Sequence, residues 1–375
     1  MIVYYFLLFI ILSSQFLLST NKITKKTCCI LNTIAIIVVL GCASKELGLT
    51  DAVAYELAFN RIVNAKSIKE LVELNTTAVD QRILQSAYTL GFVFFTKLIT
   101  VLSTSYEFFL FLSRATMWIF IGKIIYKYSE YPLISYLLLF SLNLFSGSLY
   151  LVRPVLAMIF GVMAIENYIK NKNLKSVVCC FIAMSIHVTG AIFFFIFILG
   201  RIKIRAATQF AGILLGVFLS LFGNQIWQVV VSIVAKFIPY YRHYASGHAG
   251  SFSNTWIVIV AIQLYYNLRS HGMKCDLFDN SEFDYSDNNK LTNLFVNMTL
   301  CVSMFMACQV FMDEFNRLSW YYSFAPAILF TRALRQDKAV IRVSVIMVLI
   351  FGLSAYWLYY VLPIYNAVPY IPFWR

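Results

Sequence analysis

Three ionisable side chains fall where an apolar chain has least reason to place them. Arg153 follows Tyr150-Leu151-Val152 and precedes Pro154, and His187 closes the run Ile182-Ala183-Met184-Ser185-Ile186. Arg317 lies after Asp313 and Glu314 and shortly before Trp320, Tyr321 and Tyr322. A charge at membrane depth costs roughly 3 kcal/mol or more unless it is paired or faces water, so such residues are functional candidates by default. Arginine presents a planar fork of donors that can grip a phosphate through two parallel bonds, and Pro154 suits the first turn of a helix with Arg153 at its entrance. His187 can act as acid, base or hydrogen-bond donor, and Asp313 with Glu314 can form a general-base site. Each has a structural alternative: a snorkelling arginine, a histidine satisfied within a core, and an Asp313–Arg317 ion pair.

Further candidates are polar or aromatic. Asp51 and Tyr55 stand four residues apart, one helical turn, and can face one substrate or belong to a solvated helix. The stretch 239–248 combines Arg242 and His243 with tyrosines, a mixture suited to carbohydrate or pyrophosphate. Tyr321 and Tyr322 can stack on sugar rings, although Trp and Tyr are enriched at any bilayer interface. His243 and His248 supply too few ligands for a metal, and six of the eight cysteines lie in apolar runs, where cysteine behaves as a small hydrophobe. There is no Walker loop, GxGxxG, HExxH or nucleophile elbow, so no metal, cofactor or nucleotide-driven chemistry is expected.

These residues need elements to position them, and the composition dictates which. The 375 residues are 61% hydrophobic and 13% charged, with a mean hydropathy of +0.76, against about 25% charged in soluble domains. At roughly 20 residues per crossing, the chain accommodates about eleven transmembrane helices. The expected fold is therefore all-α, one polytopic membrane domain over 1–375. The net charge of +13 does not point to nucleic acid, because the basic residues punctuate apolar runs as in cytoplasmic loops. Lys22, Lys25 and Lys26, then Lys170, Lys172 and Lys175, then Arg332, Arg335, Lys338 and Arg342 mark the cytoplasmic face. The opening run lacks a basic n-region and a cleavage site and reads as a retained span with its N-terminus outside. Two larger periplasmic loops follow at 44–80 and 224–253, and a cytoplasmic loop at 269–290. Single spans are expected over 132–150 and 319–331.

Two places resist simple crossing. If both 82–103 and 106–125 crossed, Lys123 and Lys127 would lie outside; the first run is interrupted by Gln85, Ser86, Tyr88, Thr89 and Lys97 and is expected to be interfacial or partly inserted. The run 176–199 has basic residues at both ends, and a break near His187, Thr189 and Gly190 would make it re-entrant, which is tolerated where protein or water satisfies the freed backbone.

The order of several short motifs carries a resemblance. Thr50-Asp51 with Tyr55, the helix entrance at Arg153, the Lys170-Asn171-Lys172 hinge, Ile182 to His187 and the segment from Arg317 to Tyr322 resemble the Wzy-type O-antigen and exopolysaccharide polymerases of the EpsG-like branch. The entrance departs from the usual pattern, having Tyr150 and Pro154 where Asn and Gln are common. The resemblance implies a GT-C-like architecture and glycosyl transfer at the periplasmic face of the bacterial inner membrane, as in lipopolysaccharide biosynthesis. A glycan on undecaprenyl pyrophosphate would pass to a lipid-linked repeat unit. Arg153 and Arg317 would hold the leaving pyrophosphate, and His187 or Asp313 would accept the proton. Asp51, Tyr55, Arg242, His243, Tyr321 and Tyr322 would bind substrate, and a chain-length regulator and a flippase are the implied protein partners. An O-antigen ligase and a lipid-linked oligosaccharide flippase are the alternatives; the absence of paired repeats and the outer placement of the polar segments lean against the flippase, whereas a ligase shares the topology and the arginine logic.

Overall fold

The computed structural model describes residues 1–67, 69–70, 89–204, 206–237, 254–271, 285–311 and 314–373. In chain order its helices are α1 (Ile2–Ser19), α2 (Lys25–Gly41), α3 (Leu49–Asn64), α4 (Leu90–Thr100), α5 (Tyr106–Tyr128), α6 (Pro132–Ser141), α7 (Leu144–Tyr150), α8 (Val152–Ile169) and α9 (Asn173–Ile186). They continue with α10 (Ala206–Phe237), α11 (Thr255–His271), α12 (Tyr285–Cys308), α13 (Glu314–Trp320), α14 (Phe324–Arg335) and α15 (Ala339–Tyr356). Starts are set by local chemistry: the Thr24 hydroxyl accepts the Thr27 N–H at 3.2 Å to open α2, and Ser105 accepts the Phe108 N–H at 3.2 Å to open α5. Among the described residues, the only pairing of extended backbone is the bridge between Ala43 and Pro372.

Six helical stretches among the described residues are long and apolar enough to cross a membrane: Ile2–Ser19, Tyr106–Tyr128, Val152–Ile169, Ala207–Val230, Lys290–Cys308 and Ala339–Ile364. This is a membrane protein, and among its described residues such helices are fewer than the expected eleven crossings, partly because apolar runs are divided. The span expected over 132–150 is broken between α6 and α7 by Asn143, whose φ of 66° lies in the left-handed region. The span expected over 319–331 is split between α13 and α14 by the turn at 321–323. Other boundaries move the opposite way. Helix α10 continues to Phe237, so 224–237, expected to begin an outer loop, is helical; its 32 residues reach roughly 48 Å at 1.5 Å per residue, beyond a hydrocarbon core of about 30 Å. The segment 44–80 contains α3, and α11 and α12 occupy both ends of 269–290.

The helices form two compact units, Met1–Ile196 with Val345–Arg375, and Phe197–Ser344. In the first, α2 packs on α1 and α5, and α8 on α5 and α9. Small residues permit close approach: a Cβ on Gly122 of α5 would collide with Thr33 of α2, and one on Gly161 of α8 with the Phe193 ring. The buried centre is aromatic, with Tyr4, Phe145 and Trp357 meeting edge to face and Trp357 lying 4.5 Å from Phe140. The Tyr4 hydroxyl donates to Ala367 O at 2.6 Å and the Tyr370 hydroxyl to Val39 O at 2.7 Å, tying the C-terminal segment to the start of the chain.

In the second unit, α12 lies against α10, α13 and α14. Gly212 faces Leu300 and Gly223 faces Val310, and Tyr266, Val296, Leu329 and Ala333 cluster between helices. The Asn297 amide donates to Leu199 O at 2.5 Å and Ile202 O at 2.7 Å. Asp337, its side chain fully buried, accepts from the Tyr265 hydroxyl and pairs with Arg269 at 2.6 Å.

Candidate functional site

Leu151 is extended and α8 begins at Val152, which puts Arg153 and Pro154 in its first turn. Proline is tolerated there because the N–H it lacks would be unpaired in any case. The Arg153 side chain is turned into the first unit, with the residue 8% exposed. Its Nε donates to the Tyr55 hydroxyl at 3.3 Å, and its guanidinium carbon lies 5.4 Å from the centroid of the Tyr55 ring. Tyr55 is itself buried and leans on Phe92. A cation at a helix N-terminus adds to the positive end of the helix dipole, so this arrangement gains by complementing an anion. The aromatic face steadies the guanidinium without neutralising it.

The elements carrying this pair are fastened by two cations. Arg114 of α5, 3% exposed, donates to Ser148 O at 3.0 Å, Leu40 O at 2.8 Å, Ala43 O at 3.4 Å and also Leu149 O. It ties the backbone that leads into Arg153 to the end of α2, from which the segment bearing Asp51 and Tyr55 departs. The Lys97 ammonium of α4 donates to Ile62 O at 3.2 Å, Val63 O at 2.9 Å and Ala65 O at 2.8 Å, capping the carbonyl end of α3. Both residues were visible as charges in apolar runs, but their partners are backbone atoms distant in sequence and leave no motif. Lys45, just before α3, pairs with Glu56 at 2.5 Å and lies 3.9 Å from Glu107. The hydrogen bond to Glu56 raises its ammonium above the ordinary lysine pKa.

Asp51 and Tyr55 occupy one helix, α3, four residues apart as expected; the side chain of Asp51 lies outside the described set. His187 stands at the expected break. Helix α9 ends at Ile186, whose carbonyl accepts the Thr89 hydroxyl at 2.5 Å, and His187 is extended with φ −147°. A 3-10 segment, Val188–Phe195, follows and folds back: Phe194 meets Phe181 at 4.9 Å, and a Cβ on Gly190 would stand 2.6 Å from Ala183 O. The half-buried imidazole bonds through Nδ1 to the Thr189 hydroxyl.

In the second unit, Arg317 is exposed on the short helix α13. Tyr321 and Tyr322, expected to bind sugar, are 2% and 0% exposed, their rings packed within the unit. Asn316, not singled out from sequence, is buried beside Ser319, whose hydroxyl donates to Asn316 O at 2.6 Å. Asp313, Arg242 and His243 lie outside the described residues. The structure thus brings Arg153 to Tyr55 and places Arg317 on the helix leading into the turn that holds Tyr321 and Tyr322. Among the described residues no group of three or more His, Cys, Asp or Glu is arranged to hold a metal.

The family model described as EpsG family matches residues 29–372, nearly the whole chain. No curated protein and no solved structure matches.

Proposed function

The chain belongs to the EpsG family, which supports a polysaccharide-polymerase type of function, and on that premise we propose that it elongates a surface polysaccharide at the periplasmic face of the bacterial inner membrane. In this reading the donor is a glycan on undecaprenyl pyrophosphate and the acceptor is a hydroxyl of a lipid-linked repeat unit. The bond from the anomeric carbon to the pyrophosphate oxygen breaks, the bond to the acceptor oxygen forms, and undecaprenyl pyrophosphate leaves. The substrate arrives activated, so no nucleotide is required.

The observation that carries the proposal is Arg153, a buried guanidinium in the first turn of α8 with Tyr55 against it. Charge grows on the pyrophosphate as its bond to sugar breaks. A fixed cation beside backbone N–H groups stabilises that charge more than the ground state, which is what lowers the barrier. Arg317 is the second pyrophosphate ligand in this proposal, and His187 or Asp313 takes the proton of the acceptor hydroxyl. Asp51, Tyr55, Arg242, His243, Tyr321 and Tyr322 bind sugar or order those that do. A chain-length regulator and a flippase are its protein partners.

The test is deletion of the gene in its host, with surface polysaccharide resolved on a gel and plasmid rescue as control. Loss of the long ladder with retention of single repeat units is the expected result. Loss of the single capped unit as well, with lipid-linked repeats accumulating, identifies a flippase or a ligase instead. Rescue by the doubly substituted Arg153→Ala, Arg317→Ala protein at equal abundance would refute the pyrophosphate assignment.

A further inference from the structure

A groove of about 350 Å³ opens between α2 and α5 in the first unit, within the usual range of small-molecule pockets. Its walls are aliphatic, including Ile34, Ile37 and Ile119, and Gly122 lets α5 come close to Thr33 on α2. Ile34 and Ile119 are 52% and 55% exposed, so the groove is open along its length. Two of its lining residues, Lys26 in the first turn of α2 and Lys123 near the end of α5, are exposed cations.

Several cations gather at that end. Glu166 accepts from both Lys123 at 3.0 Å and Lys170 at 2.9 Å, sharing one negative charge between two ammonium groups. Lys26 adds a further cation, and Lys25 lies 5.9 Å from the ring of Tyr126, another lining residue. Lys123 and Lys170 thus share one carboxylate, and Lys26 stands at the same end of the groove outside that cluster. An aliphatic slot with a cationic mouth has the shape and polarity of one acyl chain joined to a phosphate. A sugar or nucleotide would find few polar partners on its walls. We infer that this groove seats one acyl chain of an anionic phospholipid, with the lipid phosphate at Lys26 and Lys123. The inference stands whether or not the chain is a polymerase.

The experiment uses the full chain in detergent micelles with equal amounts of phosphatidylglycerol and phosphatidylcholine of the same acyl composition, and retained lipids are counted by native mass spectrometry. Phosphatidylglycerol should be retained in preference. At about 1 kcal/mol per lysine near a phosphate, Lys26→Gln should reduce that preference roughly fivefold. Lys26 is exposed and outside the Glu166 cluster, so this variant should fold, which thermal unfolding verifies; Lys203→Gln, an exposed charge elsewhere, should change nothing. Ile34→Trp with Ile119→Trp should fill the groove and abolish retention. Equal retention of the two lipids overturns the inference, as does unchanged phosphatidylglycerol binding in the filled variant. Displacement by excess glycerol 3-phosphate also overturns it, since the lysines would then be holding a phosphate without its chain.

Discussion

At the scale of single residues, Arg153 and Arg114 separate function from stability. Both are buried arginines, but Arg153 meets a phenol and its ring, whereas Arg114 bonds to four main-chain carbonyls. Tyr55→Phe removes one hydrogen bond and keeps the ring, so polymer formation should fall only about fivefold, the worth of a net hydrogen bond near 1 kcal/mol. Tyr55→Ala removes the aromatic contact as well, about 0.5–1 kcal/mol more. Arg153→Lys keeps the charge and loses the fork, for which a fall of roughly tenfold or more is expected from one charge-assisted bond. These rates are read as ladder intensity at matched protein abundance; a Tyr55→Phe protein as impaired as Tyr55→Ala would remove the ring from the account. Arg114→Ala should instead lower the abundance and thermal stability of the purified protein, because each stranded buried carbonyl costs about 1–3 kcal/mol. Only the Arg153 half of this contrast was legible in the sequence, where Pro154 marks a helix start. Nothing near Arg114 names its partners, since they are carbonyls from two other parts of the chain.

At the scale of elements, legibility depends on whether a break leaves a chemical mark. The turn at His187 does, because a run with basic residues at both ends cannot satisfy both by crossing once. The interruption of 82–103 by polar residues also does, and α4 is correspondingly short at 11 residues. The break at Asn143 does not, as it sits between Leu142 and Leu144 in a run whose average hydropathy still suits lipid. The continuation of α10 to Phe237 was hidden for a related reason: polar residues such as Asn224 and Gln225 read as loop, although glutamine is a good helix former and a single asparagine costs a helix only a few tenths of a kcal/mol more. Asn143 tests the conformational claim directly. Asn143 is buried, but Asn143→Gly keeps the left-handed backbone accessible and should cost less than Asn143→Leu, for which that backbone alone costs about 1–2 kcal/mol. Gly190→Ala should cost about 1–3 kcal/mol by overpacking, because the added methyl collides with Ala183 O. Unfolding in detergent compares all three, and a Gly190→Ala protein as stable as wild type would mean that the hairpin after His187 is not packed as described.

At the scale of the whole molecule, the disposition of the +13 net charge makes a testable expectation about the topology of the first unit. Were α4 a crossing, Lys123 and Lys127 would lie outside, against the bias of basic residues toward the cytoplasm. Eleven helical residues rise only about 16 Å, half of a hydrocarbon core near 30 Å. If α4 does not cross, α5 would return the chain inward, which agrees with Lys123 lining the same groove as Lys26. The positions that were in conflict then share one face. Single cysteines introduced into a cysteine-free protein test this in intact cells with a thiol reagent that does not cross the inner membrane. Lys66→Cys should be labelled, while Lys22→Cys, Glu130→Cys and Lys172→Cys should react only after the cells are permeabilised. Labelling at position 130 in intact cells would make α4 a crossing element despite its length, and would place Arg153 at the cytoplasmic end of α8. The pyrophosphate reading could not survive that reversal, since the donor glycan would be on the wrong side of the membrane; protection at 130 with labelling at 66 puts Arg153 and Tyr55 on the face where the proposed transfer takes place.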